Sequence, residues 1–232
     1  MNFLFDLYGT LIDIWTDEGS AGFWRKIALY LGDGEKKYRS VKNEYLRLCR
    51  EADLGEGREF DLTTVFARML KKRCITDVTP EELAHYFRDA SMIDLVRFPL
   101  VCEMLSGLRE RGAGVYLLSN AQSCFTLREL DKMELTPLFD GIVISSDVGF
   151  KKPSEDIFSI ALEKFGITPD CSVYVGNDMR DDIFGAHRSG LRTIYIETRQ
   201  SRDYGDLTLP APDYTAKDHE ELCRILLSLA EG

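Results

Sequence analysis

A chain of 232 residues, 44% of them apolar, has room for one α/β domain with a sizeable core and a modest insertion. Its formal charge of −10 argues against nucleic acid and anionic membrane surfaces as partners. No apolar stretch is long enough to span a bilayer.

The chain opens on a short apolar strand, Asn2 to Phe5, that runs into Asp6. Residues 14–95 then follow a helical rhythm. Apolar positions 23, 24, 27, 28 and 31 form one stripe, and 62, 65, 66, 69 and 70 another. Thr79-Pro80-Glu81-Glu82 is a capping box with proline at the first helical position, which starts a further helix. Between these, Gly55, Gly57 and the acidic run over 51–61 read as a solvated loop, and no strand is expected within 14–95.

From about residue 96 the pattern becomes regular. A helix near 99–111 closes at Gly112, and the strand GVYLL (114–118) follows. A helix near 121–132, a strand GIVIS (141–145) and a helix near 154–165 ending at Gly166 come next. The strand SVYVG (172–176), a helix from about 179 to 189, a strand LRTIYIE (191–197) and a helix over 218–230 complete the chain. Apolar β-branched runs alternating with helices imply an α/β fold with a doubly wound parallel sheet. The expected organisation is a Rossmann-like core from residues 1–13 and 96–232, with 14–95 inserted as a separate all-helical unit.

The six cysteines (49, 74, 102, 124, 171, 223) are scattered, without a CxxC pair, and read as reduced thiols. The N-terminus carries no basic, apolar and small-residue succession of a secretory leader, so a cytoplasmic location is expected. No histidine or cysteine pair has zinc-ligand spacing. The oligomeric state is left open, and a monomer is compatible with the sequence.

In an open parallel sheet, ligands bind outside the carboxyl ends of the strands. Four polar clusters follow apolar strands in this chain: Asp6 after NFLF, Ser119-Asn120 after GVYLL, Lys151-Lys152-Pro153 after GIVISS, and Asn177-Asp178 with Asp181-Asp182 after SVYVG. Each alone is an ordinary turn, cap or loop. Together they assemble a chemistry: a carboxylate that attacks phosphorus or carbon, a lysine that neutralises charge, and a hydroxyl that holds a phosphoryl oxygen. Several aspartates around one lysine leave excess negative charge, which a hard cation with oxygen ligands would relieve.

These segments resemble the motifs of the haloacid dehalogenase-like superfamily. FLFDLYGTLID is similar to its first motif, LLSNA to its second, VGFKKPSEDIF to its third and VGNDMRDDIFGA to its fourth, in the family's order. The insertion at 14–95 falls where the family carries a type 1 helical cap. The resemblance implies a hydrolase with Asp6 as covalent nucleophile, Lys152 as the motif-three lysine and Lys151 as its solvated neighbour. It also implies Ser119 and Asn120 at the phosphate, and Gly9 and Thr10 in the polar turn beside it. Mg²⁺ is then expected on Asp6, the Tyr8 carbonyl, Asn177 or Asp178, and Asp182. Arg25, beside Trp24 on the first cap helix, is the candidate cap contact to substrate, although its helical position also reads as a solvated face.

Two departures bear on function. The second aspartate of the family's phosphatases, which protonates the leaving group, is Tyr8 here, and the first acid of the fourth motif is Asn177. The resemblance favours a magnesium-dependent phosphatase of small phosphorylated metabolites. A carbon–halide hydrolase of the 2-haloacid dehalogenase type is the alternative, since tyrosine stands at this position there, and a weakly active or non-enzymatic relative is a third.

Overall fold

The computed structural model describes residues 1–205 and 207–231. Its centre is a six-stranded parallel sheet of β1 (Asn2–Phe5), β4 (Gly114–Ser119), β5 (Gly141–Ile144), β6 (Ser172–Gly176), β7 (Arg192–Ile196) and β8 (Tyr214–Ala216), in the order β5-β4-β1-β6-β7-β8. Strands covered on both faces should be apolar throughout. Phe3 and Phe5 pack on one face with Val115, Leu117, Val173 and Val175, while Leu4 packs on the other with Leu118 and Tyr174. Helices α5 (Val101–Glu110) and α10 (His219–Ala230) cover the first face, and α8 (Glu155–Phe165) the second. Each fully buried aromatic or aliphatic side chain contributes about 1.5–3 kcal/mol of transfer free energy.

Register places the chemistry. Phe5 pairs with Leu117 on one side and Val175 on the other, so Asp6 leaves β1 level with the ends of β4 and β6. The remaining core helices are α6 (Ser123–Lys132), the single turns α7 (Ser145–Val148) and α9 (Gly185–Arg188), and a π-helical turn over Met179–Phe184 before α9, where an unbroken helix over 179–189 was expected.

Four helices fill the insertion: α1 (Ala21–Tyr30), α2 (Tyr38–Ala52), α3 (Thr63–Lys72) and α4 (Pro80–Ser91). Phe23, Trp24, Ile27, Val65, Phe66, Met69, Leu83 and Phe87 make their own core, and Phe125 of α6 joins it from below. Thr79 and Glu82 form the reciprocal cap at the start of α4. The expectation that 14–95 is all-helical needs correction at its ends. β2 (Ile12–Thr16) and β3 (Met92–Arg97) pair antiparallel as a ribbon, Trp15 opposite Asp94 and Ile14 opposite Leu95. The outgoing and returning chain run side by side, so their backbone groups satisfy each other there. Helix α2 and strand β8 were also absent from the sequence reading. Among the described residues no helix is long and apolar enough to cross a membrane, and all six cysteines are free thiols.

Candidate active site

Asp6 is 7% exposed at the tip of β1, and its Oδ1 accepts hydrogen bonds from Lys152 Nζ at 2.7 Å and Ser119 Oγ at 3.3 Å. Lys152 Nζ also donates to Asp182 Oδ1 at 2.6 Å and to the Tyr174 hydroxyl at 2.7 Å. An ammonium has three protons, and each has a partner. Burial alone would lower the lysine's pKa, but Asp182 and Asp6 outweigh it and hold the ammonium above its ordinary value. Burial pushes Asp182 in the opposite sense, upward, and Lys152 pulls it back.

The loop that presents Lys152 is clamped by Asn120, whose Oδ1 accepts from the Lys152 amide at 2.7 Å and whose Nδ2 donates to its carbonyl at 3.0 Å. Asn120 therefore sets the lysine's position and also lines the cleft. Ser119 is fully buried against Asp6.

Thr10 lies outside the expected contact with substrate. It is fully buried, and its hydroxyl donates to Asn177 Oδ1 at 3.2 Å, so it orients Asn177. Gly9 has φ +83°, and a Cβ there would stand 2.5 Å from Asn177 Nδ2, so only glycine lets the turn approach so closely. Arg25 is corrected as well. It is exposed on α1 and stacks over the Tyr38 ring at 5.2 Å, away from the cleft, because the inward face of α1 is taken by Phe23, Trp24 and Ile27.

Tyr8 lines the cleft, but its hydroxyl is committed elsewhere. It bonds the Glu129 carboxylate and meets Thr126 Oγ1 at 2.9 Å, both on α6. Burial first, and then the Glu129 charge, raise its pKa well above the ordinary tyrosine value. A phenol so held is unsuited as a proton donor to a leaving group.

The acidic end of the site divides into separate tasks. Asp178 caps the turn at 179–184, accepting from the amides of Arg180 and Asp181 at 2.9 and 2.8 Å, and takes the Tyr204 hydroxyl at 2.7 Å. Asp182 serves Lys152 and accepts the Asp178 amide on Oδ2 at 2.9 Å. The second oxygen of Asp6 accepts no hydrogen bond among the described residues, nor does the Tyr8 carbonyl. These oxygens with Asn177 form an all-oxygen donor set that suits a hard cation, and Asp178 and Asp182 border it. No cluster of three or more acids, histidines or cysteines forms a ready metal cage among the described residues.

Two joined chambers open here. A chamber of about 170 Å³ is lined by Asp6, Tyr8, Lys152, Asn177, Asp178 and Asp182, among others. A second of about 570 Å³ lies between the core and the loop of the insertion around Gly55–Gly57, sharing Asn120, Lys152, Asp181 and Arg202 with the first. The acidic run over 51–61, read from sequence as a solvated loop, thus faces the cleft in part. Sequence reasoning missed Tyr174, which carries a hydroxyl into the middle of an apolar strand, and Gln200, Arg202 and Tyr204, whose loop carries no periodic signal.

A family model described as haloacid dehalogenase-like hydrolase matches residues 1–190. The chain is 34% identical over 206 residues to a glyceraldehyde 3-phosphate phosphatase of Methanothermobacter thermautotrophicus, covering 86% of this chain and 88% of that one. It is 26% identical over 219 residues to a phosphoglycolate phosphatase of Shigella boydii, covering 90% and 85%. Among solved structures, a 2-haloacid dehalogenase from Pseudomonas syringae superposes with TM-score 0.64 at 22% identity, and a HAD phosphatase from Thermococcus onnurineus with 0.63 at 21%, each over 97% of both chains.

Proposed function

The chain belongs to the haloacid dehalogenase-like hydrolase family, and from that premise we propose a Mg²⁺-dependent phosphatase of small phosphorylated metabolites with Asp6 as covalent nucleophile. The observation that carries this reading is the Lys152 ammonium, which binds Asp6 on one side and Asp182 on the other at 2.7 and 2.6 Å. It holds the attacking carboxylate in place and keeps a positive charge beside the transferring group.

Asp6 supplies the carboxylate oxygen that attacks phosphorus, while Lys152 and Ser119 hold the carboxylate in place. The bond from phosphorus to the leaving oxygen breaks as the aspartyl phosphate forms, and water then hydrolyses that ester. Mg²⁺ would be held by Asp6, the Tyr8 carbonyl and Asn177, with Asp178 and Asp182 beside it, and would neutralise charge on the phosphoryl oxygens. The names of the two phosphatase relatives support a small phosphorylated metabolite as substrate. Because the Tyr8 hydroxyl is tied to Glu129, acyl and aryl phosphates, whose leaving groups need no proton, are the better substrates.

The test is phosphate release from acetyl phosphate and p-nitrophenyl phosphate, with Mg²⁺ and with chelator, by wild type and Asp6→Asn. Release that needs Mg²⁺ and vanishes in the variant is expected. Chelator-insensitive release counts against the reading.

The tethered Tyr8 favours one rival. Displacement of halide from carbon needs no proton donor, so halide release from 2-haloacids, independent of metal, would replace the phosphatase reading.

A further inference from the structure

We propose that the chamber of about 570 Å³ beneath the cap loop is a subsite for a second anionic group of the substrate, read by Lys151 and Arg180. The proposal rests on the phosphatase reading for the position of the first phosphoryl group and names the chemistry of the remainder. The two chambers share Asn120, Lys152, Asp181 and Arg202, so a substrate with its phosphoryl group at Asp6 extends into the larger one. That volume suits a body of several carbons.

The charges lining it are unequal in availability. Lys152 has spent its three protons on Asp6, Asp182 and Tyr174. Arg202 stands 3.7 Å from Asp178 and 3.8 Å from Asp181. Lys151 is half-buried and pairs with no carboxylate among the described residues. Glu59, whose carboxyl the Lys151 charge draws down against the effect of burial, is engaged by the Phe60 amide at 3.0 Å and by the Ser145 hydroxyl at 3.4 Å. Among the described residues Arg180 pairs only with Glu56, at 2.6 Å, in a pair whose side chains are 41% and 83% exposed. An exposed pair of that kind is weak and exchangeable. A substrate anion would therefore find one unpaired ammonium and one guanidinium with a displaceable partner, against Asp53, Glu56 and Asp181 on the same walls.

The cap loop is built into this position. The Lys151 amide donates to the Gly57 carbonyl at 3.0 Å, and the Glu59 amide to the Gly149 carbonyl at 3.1 Å. Gly57 has φ +71°, and a Cβ there would meet the Ser154 Cβ at 3.2 Å. Glycine at 57 thus allows the loop to lie directly on the loop that carries both lysines.

The experiment compares matched esters: 3-phosphoglycerate with glycerol 3-phosphate for a carboxylate, and fructose 1,6-bisphosphate with fructose 6-phosphate for a phosphate. Wild type should favour the anionic member of at least one pair by about tenfold or more in kcat/KM, a size typical of a charged hydrogen bond. The pair that discriminates identifies the anion. Lys151→Met and Arg180→Met should each reduce that ratio severalfold, and Lys151→Arg should restore it. Calorimetric affinities of Asp6→Asn and Asp6→Asn/Lys151→Met for the same esters read the subsite without turnover. No preference in wild type, or a preference that survives both methionine variants, overturns the subsite. Binding preference that depends on Lys151, in a protein that releases no phosphate from any ester, keeps the subsite and removes the phosphatase reading.

Discussion

The Tyr8 hydroxyl is bound to the Glu129 carboxylate, whose Oε1 lies 2.9 Å from Arg88 Nε on the inserted helix α4. Arg88 also stacks over the Phe125 ring at 4.4 Å. Tyr8 is thus part of the joint between the core and the inserted helices. Its phenol is held away from proton transfer by the same contacts that anchor α4 to α6.

Tyr8→Phe should accordingly change turnover of p-nitrophenyl phosphate by less than about threefold. It should lower stability by about 1–3 kcal/mol, because Glu129 loses a buried donor. Tyr8→Asp should raise turnover of alkyl phosphates more than that of aryl phosphates, since a positioned carboxylic acid contributes about 10²–10⁴-fold where the leaving group needs a proton. Parallel steady-state kinetics and urea unfolding check both. A large loss of aryl phosphatase activity in Tyr8→Phe would return the hydroxyl to the chemistry.

Glu129 should leave a mark on the pH dependence of stability. Burial raises its carboxyl above the ordinary value of 4.5, with Arg88 opposing. The folded state then holds the proton more tightly than the unfolded state, so the contribution is full below about pH 4.5 and declines as pH rises through the folded value. Glu129→Gln should flatten the decline. Urea midpoints for wild type and variant between pH 5 and 7.5 measure it, and parallel curves would show that Glu129 titrates as it does in the unfolded chain.

Asn177→Asp should tighten Mg²⁺. The substitution adds a negative charge beside Asp6 while Thr10 can still donate to the retained oxygen. The Mg²⁺ concentration for half-maximal activity should fall about tenfold. Asp178→Ala should act mainly on stability, by about 0.5–2 kcal/mol, as loss of a helix cap does. If Asp178→Ala abolishes Mg²⁺ dependence with little effect on stability, Asp178 is a metal ligand and not a helix cap alone.

Tyr174→Phe removes one of the three acceptors around Lys152 and should lower kcat by about tenfold with KM little changed, because a buried charged donor then lacks a partner. Lys152→Met should cost about 3–5 kcal/mol of stability as well as activity, leaving Asp6 and Asp182 buried without their cation. Retained activity in Lys152→Met would remove the central element of the mechanism.

Much of this protein is set by local sequence. Apolar strands that each end in a polar cluster, FLF before Asp6, YLL before Ser119 and YVG before Asn177, dictate a parallel sheet with its chemistry at one edge, because side chains buried on both faces must be apolar and only the strand ends are open. The periodic stripes of α1 and α3 and the capping box of α4 foretold three of the insertion's four helices, but not α2. What chain position alone did not decide was which polar group faces which partner. Thr10 turned inward to Asn177, Asp178 became a cap, and Tyr8 was taken by Glu129, a residue 121 positions away. Arg25 is exposed because aromatic side chains claimed the inner face of α1. The ribbon of β2 and β3 forms because two segments some 80 residues apart meet, and the cap loop faces the cleft because Gly57 can lie against Ser154. Hydrogen bonds and ion pairs between distant segments depend on angles and distances of a few ångströms, and those exist only once the layers have packed.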